Sequence, residues 1–215
     1  MYERPVLNLG FWSALVGSIL GLIYIAVLIA NFATQGLTYP PPEWVQLIAG
    51  IITFLFASEM VILMVAIYYF TPEDKKIYAG ISVAFTILFA AVVSINRFWQ
   101  LTVIRQNLAE GNIQELARFM PYAIDSVAFS LEMLGWGFFM SLAALFIAPI
   151  FGQNRLERAI RWLFLAFGML SLLSVIGYTL ENFMILLGFV AWGPVLTTIT
   201  ILLTILFSRA RKINV

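Results

Sequence analysis

The sequence predicts an all-α integral membrane protein built as a six-transmembrane-helix bundle, and three observations predict it. Hydrophobic residues make up 62% of the 215 residues and charged residues only 11%, with a mean hydropathy of +0.98, so most of the chain is compatible with hydrocarbon. Six apolar stretches, each long enough to cross a bilayer as a helix, alternate with short polar punctuation. Lys and Arg gather in alternate connections, which is the asymmetry that orients membrane helices. Six spans of roughly 20 residues use nearly the whole length, so residues 1–215 read as a single polytopic membrane domain.

The expected spans cover residues 10–32, 44–70, 79–100, 123–151, 160–180 and 184–207. In the first, Ser13, Gly17 and Gly21 recur every fourth residue, a small-residue ladder suited to close helix packing. Its apolar run is too long for a signal-peptide core and no convincing cleavage site follows, so it is expected to stay in the membrane. "YPPPEW" leads into the second span as a stiff, polyproline-like entry. The third ends in "SINRFWQ", which places Asn96, Arg97 and Gln100 within one turn.

The connection that follows predicts a short amphipathic helix in the outer loop between spans three and four. Asn112 and Glu115 have capping-box spacing, and Ile113, Leu116, Ala117 and Met120 recur at i, i+3, i+4 and i+7 before Pro121. Such a helix either rests at the headgroup boundary or covers an outward-facing pocket. In the fourth span, Asp125 and Glu132 stand seven residues apart, on one helical face but separated by about 10 Å along the axis. Glu181 and Asn182 read as a solvated turn before the sixth span, where Gly193-Pro194 predicts a kink.

Arg4, Lys75, Lys76, Arg155, Arg158, Arg161, Arg209, Arg211 and Lys212 all fall on one side of this topology. That side is expected to be cytoplasmic, with both termini on it. A net charge of +1 gives no reason to expect a nucleic-acid partner. With no Cys and no His, disulfides, thiol nucleophiles, imidazole bases and the usual zinc and haem ligands are removed, so neither a cofactor nor a metal is expected.

The candidate ligand- or ion-binding residues are the polar groups inside the spans: Glu59, Arg97, Glu132, Asp125, Asn96, Gln100 and Trp136. Glu59 is the deepest charge. An ionised carboxylate unpaired at mid-membrane costs at least ~2.5 kcal/mol, so Glu59 is expected to face the bundle interior, either protonated, paired or next to water. Arg97 is the one cation inside a span; either Asp125 or Glu132 could pair with it across spans three and four, and Glu132 is the preferred partner. Trp136 lies one turn from Glu132 and is the tryptophan expected to line a pocket, whereas Trp12, Trp44, Trp99, Trp162 and Trp192 suit interfacial belts.

Two functional readings follow. In the first, an outward-facing polar cluster serves a small transporter or ion-conducting protein handling a small ligand, proton or cation. In the second, a non-transporting membrane module binds a lipid, small ligand or partner helix while its charges hold the bundle together. A carboxylate-based intramembrane enzyme through Glu59, Asp125 and Glu132 ranks below both, because no nucleophile, HExxH, P-loop or dinucleotide signature is present. The partners expected are membrane lipids and a small molecule or ion reached from the outer side, with self-association left open.

Overall fold

Each apolar stretch is a helix in the computed structural model, which describes residues 4–36, 41–111, 114–120 and 123–213. Six helices are long and apolar enough to cross a membrane: α1 (Arg4–Gln35), α2 (Glu43–Phe70), α3 (Glu73–Ala109), α4 (Val127–Ile150), α5 (Arg155–Thr179) and α6 (Phe183–Ile213). Most extend past their apolar runs into polar sequence, since a helix satisfies its backbone groups internally whatever its side chains carry. Side-chain caps set several starts. Ser126 Oγ accepts the Phe129 amide at 3.0 Å ahead of α4, Asn154 Oδ1 accepts the Glu157 amide at 3.0 Å ahead of α5, and Asn182 Oδ1 accepts the Met184 amide at 3.0 Å ahead of α6.

Consecutive helices run antiparallel, and α6 returns to α1, closing a ring. The α1–α6 register follows Gly10 and the two glycines of the small-residue ladder: Gly10 faces Phe207, Gly17 faces Thr200 and Gly21 faces Thr197. A side chain at these glycines would run into the facing residue, so their lack of one is what lets the helices approach. Such packing matters in lipid, where no hydrophobic force drives helices together. Farther round the ring, Ser82 of α3 donates to the Ala143 carbonyl of α4 at 2.8 Å, and Ser130 of α4 bonds Tyr178 of α5 at 2.7 Å.

An aromatic cluster fills the middle. The Trp136 ring of α4 lies 4.7 Å from Phe89 of α3, 5.9 Å from Phe56 of α2 and 6.4 Å from Trp192 of α6, centroid to centroid. Large apolar side chains such as Ile29, Ile95, Phe98 and Trp162 face outward, as a surface in contact with lipid requires.

Three expectations change. Asp125 does not share a helical face with Glu132: it is exposed in the turn before α4, because Ser126 caps the helix at Val127. Between α3 and α4 the described residues form a six-residue 3-10 helix, Gln114–Phe119, in place of an α-helix, and the expected cap Asn112 lies outside the described residues with Ile113. The disturbance expected at Gly193-Pro194 takes the form of a π-helical segment, Ala191–Val195. There the Thr197 and Thr198 hydroxyls donate to the Gly193 and Pro194 carbonyls at 2.8 Å each, and the π-helical turn is the kind of local adjustment that makes proline tolerable in a membrane helix.

Candidate ligand-binding cavity

The centre of the ring is not filled along its whole length. A cavity of 340 Å³ lies among α1, α2, α4 and α6, with Arg97 contributed by α3, and it reaches Gly36 and Pro41 at the α1–α2 connection, on the end of the bundle opposite the termini. Its walls are Tyr24, Leu28 and Asn31 of α1, Ala49, Thr53 and Phe56 of α2, Phe129, Glu132, Met133 and Trp136 of α4, and Phe189, Trp192, Leu196 and Thr197 of α6. Both wall segments of α4 and α6 that carry the tryptophans are π-helical, Met133–Phe139 and Ala191–Val195, a local widening that often accompanies functional sites.

One polar construction stands in these apolar walls. Arg97 Nη2 donates to Glu132 Oε2 at 2.8 Å, and Asn96 Nδ2 donates to Glu132 Oε1 at 2.5 Å. Arg97 Nη1 also donates to Gln100 Oε1 at 2.7 Å, and Asn96 Nδ2 reaches the Ala128 carbonyl at 3.0 Å. The guanidinium therefore bridges a carboxylate on α4 and an amide on its own helix, a fork geometry that lysine cannot supply. Asn96 and Glu132 are buried. A charge in such surroundings persists only when it is paired and hydrogen-bonded.

The remaining polar wall groups divide in two. Thr53 and Thr197 turn their hydroxyls back to the Ala49 and Gly193 carbonyls at 2.8 Å each, which uses their donors and leaves each oxygen able only to accept from a visitor. Asn31 Oδ1, by contrast, is buried with no hydrogen-bond partner among the described residues. A carboxylate has about four acceptor positions, more than the Arg97, Asn96 and Trp136 donors on Glu132 fill. Beside its apolar surface, the cavity thus offers acceptors, at Asn31 and Glu132, and the Arg97 cation.

Of the residues singled out from the sequence, Arg97, Glu132, Asn96, Gln100 and Trp136 come together here, with the expected Arg97–Glu132 pair formed. Asp125 does not join them. Glu59 lies apart as well: it does not line the cavity, but sits one turn from Phe56 on α2, against Gly17, which also faces the Thr200 methyl. Gly21 and Thr197, in contact with each other, form the cavity floor, and Gly17 and Thr200 are about one turn, ~5 Å, nearer the termini. Both Glu59 carboxyl oxygens are buried there without a hydrogen-bond partner among the described residues.

Sequence reasoning missed Tyr24, Thr53, Thr197 and Trp192 as wall residues. Trp192 is no belt residue, since its indole donates to Ser171 Oγ at 3.0 Å and its ring lines the cavity. Its place beside the Gly-Pro interruption was the available signal, because broken helices in membranes line cavities. No group of three acidic residues arranged to hold a metal ion occurs among the described residues. No protein-family model, curated protein or solved structure matches this chain.

Proposed function

We propose that this is a multi-pass membrane protein that binds a small, largely apolar molecule with one hydrogen-bonding end, held in the ring cavity with that end toward Arg97, Glu132 and Asn31. The observation that carries the reading is the buried Arg97–Glu132–Asn96 network set into the wall of an otherwise apolar cavity. A pair that only pinned α3 to α4 would be placed as well anywhere along their interface. Here it is placed where a ligand can touch it. The end of the cavity at Gly36 and Pro41 is its mouth, and by the distribution of Lys and Arg that mouth faces the outside and both termini face the cytoplasm.

The test uses n-octylamine and n-octanol as probes on the protein in lipid nanodiscs. Octylamine and octanol raise the melting temperature saturably, since each places a donor near Glu132 and Asn31. Ala49→Phe, which fills the cavity from the α2 wall, abolishes the effect. An equal shift in Ala49→Phe means that the probes act through the lipid, and the reading fails.

A second reading, ion-coupled transport, is favoured by one observation, the partnerless Glu59 carboxyl one turn past the cavity floor. Under this reading the α1–α6 contact at Gly21 and Thr197 is a gate, and Glu59 takes a proton or cation when the gate opens. Proton flux into liposomes under an imposed gradient, present in the wild type and lost in Glu59→Gln with stability unchanged, supports it. Absence of flux in both proteins leaves the binding reading alone.

A further inference from the structure

A second cleft lies at the end of the bundle that carries the termini. It has a volume of 430 Å³ and opens between α1 and α6, with Arg4, Asn8 and Phe11 on one side and Ser208, Arg211 and Lys212 on the other. Two lysines at this end are engaged by the protein: Lys76 pairs with Glu73, and Lys75 Nζ donates to the Ile150 carbonyl at 3.4 Å. The cleft differs, because three cations line it and no acidic residue does among the described residues. The Arg211 guanidinium lies 4.5 Å over the Phe11 ring, a cation–π contact that holds it in the cleft although its side chain is long enough to reach open water.

The surface beside the cleft is apolar. Leu9 and Trp12 on α1 and Ile205 and Ile213 on α6 are exposed, so a cationic notch adjoins a face suited to acyl chains, with Trp12 in keeping with the headgroup level. We infer that this cleft binds the phosphate of an anionic phospholipid headgroup, with the lipid's chains lying along the outer face of α1 and α6. Guanidinium and ammonium donors satisfy phosphate oxygens by charge-assisted hydrogen bonds, and clustered basic residues just beyond a membrane helix attract anionic lipid. A free anion would use the cations but leave the neighbouring apolar face unexplained.

The test is lipid retention by the purified full chain in native mass spectrometry, comparing phosphatidylglycerol with phosphatidylcholine, together with melting temperature in inorganic phosphate. Phosphatidylglycerol is retained in preference to phosphatidylcholine. Arg211→Gln and Lys212→Gln each lower its retention about fivefold, whereas Arg158→Gln, a cation at the same end but outside the cleft, leaves it unchanged. Ser208→Glu, which adds a negative charge without removing the Arg211–Phe11 contact, also lowers it and guards against a folding defect in the charge-removal variants. Equal retention of the two lipids, an equal loss in Arg158→Gln, or stabilisation by inorganic phosphate matching that by phosphatidylglycerol would overturn the inference.

Discussion

Arg97 of α3 and Glu132 of α4 meet at 2.8 Å in the cavity wall, and Asn96, next to the arginine, holds the other carboxylate oxygen. Removing one member of such a buried pair leaves the other charge without its main compensation, at a cost of about 3 kcal/mol. Arg97→Ala therefore lowers the melting temperature clearly. The Arg97→Ala, Glu132→Ala double variant loses less than the sum of the singles. Additive losses in thermal unfolding of the purified protein would show that the two side chains do not meet.

Glu59 predicts the opposite sign. Its carboxyl is buried without a hydrogen-bond partner among the described residues, so it weakens the packing of α1, α2 and α6, and an apolar side chain of similar length relieves that. Glu59→Met is expected to raise stability by about 1 kcal/mol, read as a higher melting temperature. A lower one would mean that the carboxyl contributes favourable contacts in its native setting.

Gly17 and Glu59 are also coupled through shape. A Cβ on Gly17 would lie 2.9 Å from Glu59 Oε2 and 3.2 Å from the Thr200 methyl; the carboxyl end can swing aside, so Gly17→Ala destabilises by overpacking at the low end of its range, by about 1 kcal/mol. In the Glu59→Ala background the same change costs less, because the nearest obstacle is gone. The comparison needs four melting curves, and equal penalties in both backgrounds would contradict this packing.

The chain contains no cysteine, which makes orientation directly measurable. Cysteines placed at Gln35 and Gly111, at the mouth end, are expected to react with an impermeant thiol reagent added outside intact cells, and one at Gln153 is not. Labelling at Gln153 from outside would reverse the topology proposed from the Lys and Arg distribution.

What could be seen in the sequence, and what could not, follows from which physical constraints are local. The six helices were legible because hydrocarbon demands length and apolarity of each segment separately. The Arg97–Glu132 pair was legible because two opposite charges inside neighbouring spans have few other partners. Asp125 was misplaced because an apolar run does not show where its helix begins; the Ser126 cap does. The ladder of Ser13, Gly17 and Gly21 was visible as a packing device, yet Glu59 was not connected to it, since which helix fills the groove depends on the closure of the ring. The cavity itself was out of reach. Thr53, Thr197 and Trp192 line it only because four helices leave the same space unfilled, and unfilled space is a property of the assembled packing.

The proposed ligand, a small amphiphile, enters from the mouth at Gly36 and Pro41 and lodges beside Arg97 and Glu132. A single cysteine at Thr53, whose side chain lines the cavity and turns its hydroxyl to its own helix, reports on this entry. Thr53→Cys is expected to react with a small, membrane-impermeant methanethiosulfonate reagent added from the mouth side, and saturating n-octylamine to slow this reaction at least severalfold while leaving labelling of a cysteine at Gln35 unchanged. A Thr53→Cys protein that does not react, or one whose reaction n-octylamine does not slow, would contradict the proposal.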